Sequence, residues 1–157
     1  MAKIIFELAE FVELLRRSPE AWRPLVFTNG CFDLIHVGHV RYLESAKALG
    51  KTLVVGLNSD RSVQELKGLS RPIIPEDQRA EVMAALKPVD AVIIFPEPTA
   101  IKTIEAIAPD IYAKGGDYTV ETLPEAPTVN GYGGKISLIQ IEVPSSTTKI
   151  VQRIKSL

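Results

Sequence analysis

Five short apolar runs recur along this chain, and the first four are separated from one another by segments with helical spacing. The runs are "PLVFTNG" (24–30), "TLVVGL" (52–57), "AVIIF" (91–95), "DIYAKGG" (110–116) and "ISLIQIEV" (136–143). Strands buried on both faces and joined by helices are met almost only in parallel sheets with helical crossovers, so the alternation predicts an α/β fold. The expected architecture is a doubly wound five-stranded parallel sheet with helices on both faces. Apolar residues at Ile5, Leu8, Ala9, Val12 and Leu15 predict a helix over 5–17. Further helices are expected over 38–49, stopped by Gly50, and from a cap at Asp60 through Leu66. Two more are expected from Pro75 to about Lys87 and over 100–108, after Thr99. Ser145 or Ser146 is expected to cap a last helix over 147–155. The one long irregular stretch is Gly115 to Gly134, and a loop of that length is usually functional or mobile.

The 157 residues suffice for one domain with a full core, residues 1–22 forming a helical extension. A formal net charge of −1 gives no field that would drive nucleic-acid or membrane binding. The single cysteine, Cys31, excludes an internal disulfide and a four-cysteine zinc site. No apolar run approaches a membrane span, and acidic residues interrupt the N-terminal stretch as they would not in a signal peptide. A reducing, cytoplasmic setting is expected.

In doubly wound folds ligands sit beyond the carboxyl ends of the strands, so the loops there carry the candidate chemistry. Both histidines, His36 and His39, lie in the loop after the first strand as H-x-G-H, with Gly38 between them. Two imidazoles at the positive end of a helix, beside a glycine that lets a ligand approach the backbone, suit a phosphoryl group. The hydroxyl-rich "PSSTTKI" (144–150) places Ser146, Thr147 and Thr148 at another helix start on the same rim. Lys67 and Arg71 in the loop after the second strand, and Arg79 on the next helix, are candidate phosphate cations. "KGGDY" (114–118) offers Lys114, Gly115, Gly116 and Asp117, the aspartate able to bond sugar hydroxyls. "GYGG" and "GGKIS" lack the spacing of a dinucleotide fingerprint or a P-loop, and Cys31 reads as a buried turn residue rather than a nucleophile.

"FTNGCFDLIHVGH", "GLNSD", "VDAVIIF" and "SSTTKI" occur in an order and spacing that resembles the H-x-G-H nucleotidyltransferase superfamily, over nearly the whole chain from Val26 on. Within it the chain looks most like cytidylyltransferase-like domains. "KGGDY" and "STTKI" point to the adenylyltransferase domain of bifunctional heptose kinase/adenylyltransferases, standing without its kinase half. The resemblance implies a Rossmann-like fold holding a nucleoside triphosphate over the H-x-G-H turn. It implies that His36, His39 and Lys67 are catalytic. Thr28, Asn29, Gly30, Cys31, Phe32, Asp33, Gly38, Arg79, Ser146, Thr147 and Thr148 would bind nucleotide and phosphates. Arg71, Lys114, Gly115, Gly116 and Asp117 would serve the acceptor or ribose. The implied reaction moves AMP from ATP to a heptose 1-phosphate, with Mg²⁺ carried on the triphosphate rather than ligated by protein, on the way to a lipopolysaccharide precursor. A CTP-dependent enzyme acting on glycerol 3-phosphate is the alternative, although "IEVPSSTT" lacks the arginine that such enzymes carry just before this helix. A homodimer is left open. A sugar 1-phosphate is already an anion and needs no general base, so the residues must instead gather anions and stabilise charge on the α-phosphoryl oxygens.

Overall fold

The computed structural model describes residues 4–141, 143 and 146–157. The chain runs β1 (Ile5–Phe6), α1 (Leu8–Arg17), α2 (Pro19–Trp22), β2 (Leu25–Gly30), α3 (Val37–Lys47), β3 (Thr52–Asn58), α4 (Asp60–Lys67) and α5 (Glu76–Ala84). It continues through β4 (Ala91–Phe95), α6 (Ile101–Ile107), β5 (Ile111–Gly115), a 3₁₀ turn (Val120–Thr122), α7 (Ala126–Gly131), β6 (Lys135–Ile139) and α8 (Thr147–Lys155). The six strands are parallel and ordered β1-β4-β3-β2-β5-β6.

This is the Rossmann-like α/β arrangement that the sequence predicts, with one strand more than the five expected. The extra strand is β1, where helical spacing predicts the start of the first helix. Ile5 pairs with Val92 and Phe6 with Ile93. Adjacent residues of a strand face opposite sides of the sheet, and both side chains find a core there. Phe6 packs with Phe11 and Trp22, at ring-centroid distances of 5.4 and 6.3 Å, while Ile5 packs against the opposite core. A helix through Ile5 would have put both on one side, so α1 begins only at Leu8.

The sheet separates two apolar cores. Phe11, Leu25, Phe27, Ile93, Ile104, Tyr112 and Val129 fill one, beneath α1, α6 and α7. Val26, Leu43, Leu53, Val55, Met83 and Val92 fill the other, beneath α3 and α5. Full burial of side chains this large contributes roughly 1.5–3 kcal/mol each before chain entropy is counted. The stretch 115–134 is not one irregular loop. It holds the 3₁₀ turn and α7, whose Ala126 and Val129 are buried, because those two apolar residues three apart can close the first core.

Strand order reverses at β2. From there the chain winds outward through β3 and β4, then returns to lay β5 and β6 on the other side. β2 and β3 stay in register from Leu25↔Thr52 to Gly30↔Leu57. β2 and β5 pair only at Val26↔Ile111 and Phe27↔Tyr112. Above Phe27 the two strands part, and the crevice between their carboxyl ends is where a ligand is expected in such a sheet.

Candidate active site

A cleft of about 730 Å³ opens at this divergence. It is lined by Asn29 and Gly30 from the end of β2, by Cys31, Phe32, Asp33, His36, Gly38 and His39 from the turn into α3, and by Lys114 and Gly115 from the end of β5. Lys67 and Arg71 reach it from beyond β3, and Ser146, Thr147 and Thr148 from the start of α8. Segments far apart in the chain, singled out by their sequence, thus meet in one cavity.

The two histidines are held by the helix they begin. His36 is the N-cap of α3 and its Nδ1 accepts the backbone N–H of Gly38 at 3.1 Å. His39 Nδ1 accepts the backbone N–H of His36 at 3.3 Å. The rings stack with centroids 3.9 Å apart. The pair forms a capping box in which imidazole nitrogens do what hydroxyl and carboxylate oxygens usually do. Since each Nδ1 accepts, the proton of each neutral ring is on Nε2. Burial lowers the pKa of His36, and burial together with the neighbouring His36 pulls His39 down to about 4. Near pH 7 both rings are therefore neutral, oriented N–H donors at a positive helix end.

The turn before them is strained. Phe32 has φ 45°, unusual for a bulky residue, and its ring lies edge-on to His39 at 5.3 Å. A Cβ on Gly30 would come within 3.0 Å of that ring, so glycine lets the turn close. Asp33 is used internally, its carboxylate accepting the N–H groups of Ile73 at 2.9 Å and Ile74 at 3.0 Å, with the Arg71 guanidinium 3.4 Å away. Cys31 is half-buried on the cleft wall rather than buried as expected, and what burial it has raises the thiol pKa, against a role as nucleophile.

Across the crevice, Lys114 Nζ donates to the Asn29 carbonyl at 3.2 Å, and burial lowers its pKa. The Tyr42 hydroxyl bonds Thr28 Oγ1 at 2.6 Å and donates to the Ala113 carbonyl at 3.1 Å. Carbonyls that would join a continuous β2–β5 ladder are thus satisfied by side chains. At α8, Ser146 caps the helix by accepting the Lys149 N–H at 3.1 Å, and Thr147 Oγ1 ties the helix start to the Leu34 carbonyl at 3.1 Å. Ser145, the other capping candidate, lies outside the described residues.

Four expected site residues do not line the cleft. Thr28 is fully buried and serves Tyr42. Gly116, at φ 96°, and Asp117 are exposed beyond the end of β5. Arg79 is 1% exposed, and each nitrogen of its guanidinium has a partner. It donates to the carbonyls of Ile74 (2.9 Å), Cys31 (2.6 Å) and Asn58 (2.9 Å) and to Asp60 Oδ1 (2.7 Å). In this structure it is a strut beneath the site.

Sequence reasoning missed Tyr42, Thr99, Tyr118, Glu125 and Ile141, which also line the cleft. Tyr42 was findable, since it stands three residues after His39 on one helix face. Glu125 sent no signal from within a stretch that reads as loop. As to metals, no group of three or more His, Cys, Asp or Glu among the described residues could hold an ion. The cationic and N–H donor lining suits a polyphosphate instead.

The family description "cytidylyltransferase-like" matches residues 27–155. Bifunctional protein HldE of Syntrophotalea carbinolica is 50% identical over 147 residues, which is 94% of this chain and 29% of that protein. Bifunctional protein HldE of Geotalea uraniireducens is 52% identical over 152 residues, 97% of this chain and 31% of that protein. The chain thus spans under a third of the length of these curated relatives. Among solved structures, a lipopolysaccharide core biosynthesis protein from Thermoplasma volcanium superposes with a TM-score of 0.62 at 31% identity, over 76% of this chain and 97% of that one. Pantoate-beta-alanine ligase from Francisella tularensis shares the fold alone, with a TM-score of 0.62 at 14% identity over 99% of this chain and 79% of that one. With the matched region taking in the whole of the cleft from Asn29 to Thr148, the chain belongs to the cytidylyltransferase-like family.

Proposed function

We propose that this domain transfers AMP from ATP to a sugar 1-phosphate, a heptose 1-phosphate, with release of pyrophosphate. The observation that carries the reading is the histidine pair. Two neutral imidazoles, each with Nδ1 engaged by backbone and Nε2–H left to donate, stand at a helix start on the cleft wall. That arrangement suits a pentacoordinate phosphorus, whose equatorial oxygens gain charge as the bond to the leaving group breaks.

In this reading His36 and His39 donate to the α-phosphoryl oxygens, and Lys67 and the start of α8 draw the β- and γ-phosphates. One acceptor phosphate oxygen attacks the α-phosphorus in line. The new P–O bond forms as the bond to the bridging oxygen breaks, and that electron pair leaves with pyrophosphate. The acceptor arrives ionised, so no residue has to remove a proton, and imidazoles locked as donors could not do so. Mg²⁺ travels with ATP as part of the substrate and neutralises charge on the triphosphate; the Asp33 carboxylate, already bonded to Ile73 and Ile74, would not hold it. Likeness to the bifunctional HldE proteins and to a lipopolysaccharide core biosynthesis protein supports a sugar phosphate acceptor, and the reading sets the enzyme in the cytoplasm. No helix among the described residues is long and apolar enough to cross a membrane.

The second reading, CTP with glycerol 3-phosphate, draws on the family's description. Pyrophosphate release separates the two. ATP with heptose 1-phosphate should turn over fastest, and an α-thiophosphate centre should invert. Preference for CTP and glycerol 3-phosphate would replace the first reading by the second.

A further inference from the structure

Glu125 is a buried carboxylate that the transfer chemistry does not use. It stands at the N-cap of α7, is 4% exposed, and lines the cleft beside Pro98, Thr99, Leu123 and Pro124. The Ala100 N–H donates to its Oε1 at 3.3 Å, a long bond for a carboxylate acceptor. It forms no ion pair with any described residue. An anion so placed is costly, and a neutral amide could take the same N–H. The fold therefore has no need of the charge.

The surroundings say what the charge could meet. The Tyr112 hydroxyl lies against the Glu125 carboxylate, which helps push its pKa up, and donates to Asn29 Oδ1 at 2.6 Å. That bond leaves the Asn29 amide with N–H groups to give. Lys114, bonded to the Asn29 carbonyl, lies within the field of both Glu125 and Cys31, between the α3 turn and this end of the cleft. A buried acceptor, an amide donor and walls of proline and leucine match a polyhydroxylated ring, whose O–H groups donate and whose C–H faces are apolar.

We propose that this end of the cleft is the subsite for the sugar ring of the acceptor, with the Glu125 carboxylate accepting from one or two of its hydroxyls while Lys114 faces the ring's phosphate. The inference rests on the sugar 1-phosphate reading and adds to it the residue that selects a ring polyol.

The test compares wild type with Glu125→Gln, which keeps an oxygen for Ala100. Steady-state pyrophosphate release is measured against heptose 1-phosphate and its monodeoxy analogues. A hydrogen bond to a charged acceptor contributes about 1.5–3 kcal/mol, so the variant's KM for the acceptor should rise about tenfold or more. KM for ATP and the thermal midpoint should hold. One monodeoxy analogue should lose as much on wild type, with no added loss on the variant. An unchanged acceptor KM with a lowered midpoint, or an equal rise in KM for ATP, would make Glu125 a strut for α6 and overturn the subsite while the functional reading stood. Should Glu125→Gln not fold, Glu125→Asp takes its place: it keeps the charge and withdraws it by one methylene, so the same analogue must show a reduced penalty. If wild type accepts only glycerol 3-phosphate, the functional reading fails before any variant is compared, and a ring subsite falls with it.

Discussion

The β2–α3 turn and the α4–α5 connection line one cleft, yet they are built by opposite rules. In the turn, each histidine has one nitrogen bonded to backbone, and Phe32 is packed on His39 despite its strained φ. In the connection, Leu69 is 89% exposed, Lys67 is exposed at the end of α4, and Gly68 takes φ 95°. Only the far part of the connection is tied down, where Ile73 and Ile74 bond Asp33. The difference separates two tasks. Groups that meet charge appearing only in the transition state need fixed positions, whereas groups that gather a flexible anion can trade position for reach.

Arg79 is the member common to both regions, since it holds Cys31 of the turn and Ile74 of the connection. Arg79→Met should give the largest effect, about 3–5 kcal/mol in urea denaturation, because Asp60 and three carbonyls lose a buried partner. Retention of full stability would mean that the two regions do not share a strut. His39→Ala comes next. Loss of one oriented donor should lower single-turnover rate about 10²–10³-fold, roughly 3–4 kcal/mol, with the thermal midpoint little moved. An early melt with near-normal turnover per folded molecule would show the turn to be architecture alone. Lys67→Ala should act differently, raising KM for ATP about tenfold while sparing most of kcat. If Lys67→Ala and His39→Ala share one kinetic signature, the division of tasks is wrong.

The last effect is on pH dependence. The folded-state pKa of His39, about 4, lies below the ordinary value near 6.5. Between these values the unfolded chain binds more protons than the native one. Stability should therefore fall as pH drops from about 6.5 to about 4, and be level on this account above it. Thermal midpoints of wild type and His39→Gln across this window check the sign: the variant should show the shallower slope.

What could be read from the sequence follows how local the determining forces are. The H-x-G-H turn, Lys67 and the Ser146 cap were legible, because cap residues, glycine and charge act within a few positions. Arg79 was not, since an arginine on a helix points to solvent or inward according to carbonyls contributed here by the β2–α3 turn and the end of β3, which its own neighbourhood does not announce. Ile5 and Phe6 fit helical spacing as well as a strand, and the free edge of β4 decided between them. Glu125 was invisible because α7 is short and carries proline and glycine. Only packing on α6 makes it a helix and sets that carboxylate at the cleft.

The parting of β2 from β5 above Phe27 also has a mechanical side. The sheet is two plates, β1-β4-β3-β2 and β5-β6, joined in their upper part by side chains where a backbone ladder would otherwise run. Tyr42, Lys114 and Tyr112 are the rivets. A seam fastened by three side chains yields before a ladder of amides does, so thermal opening is concentrated along the line where nucleotide enters, and a ligand lying across the seam clamps the plates together. In hydrogen exchange, amides at 113–115 should open sooner than those at 53–57, and close the gap when the cleft is filled.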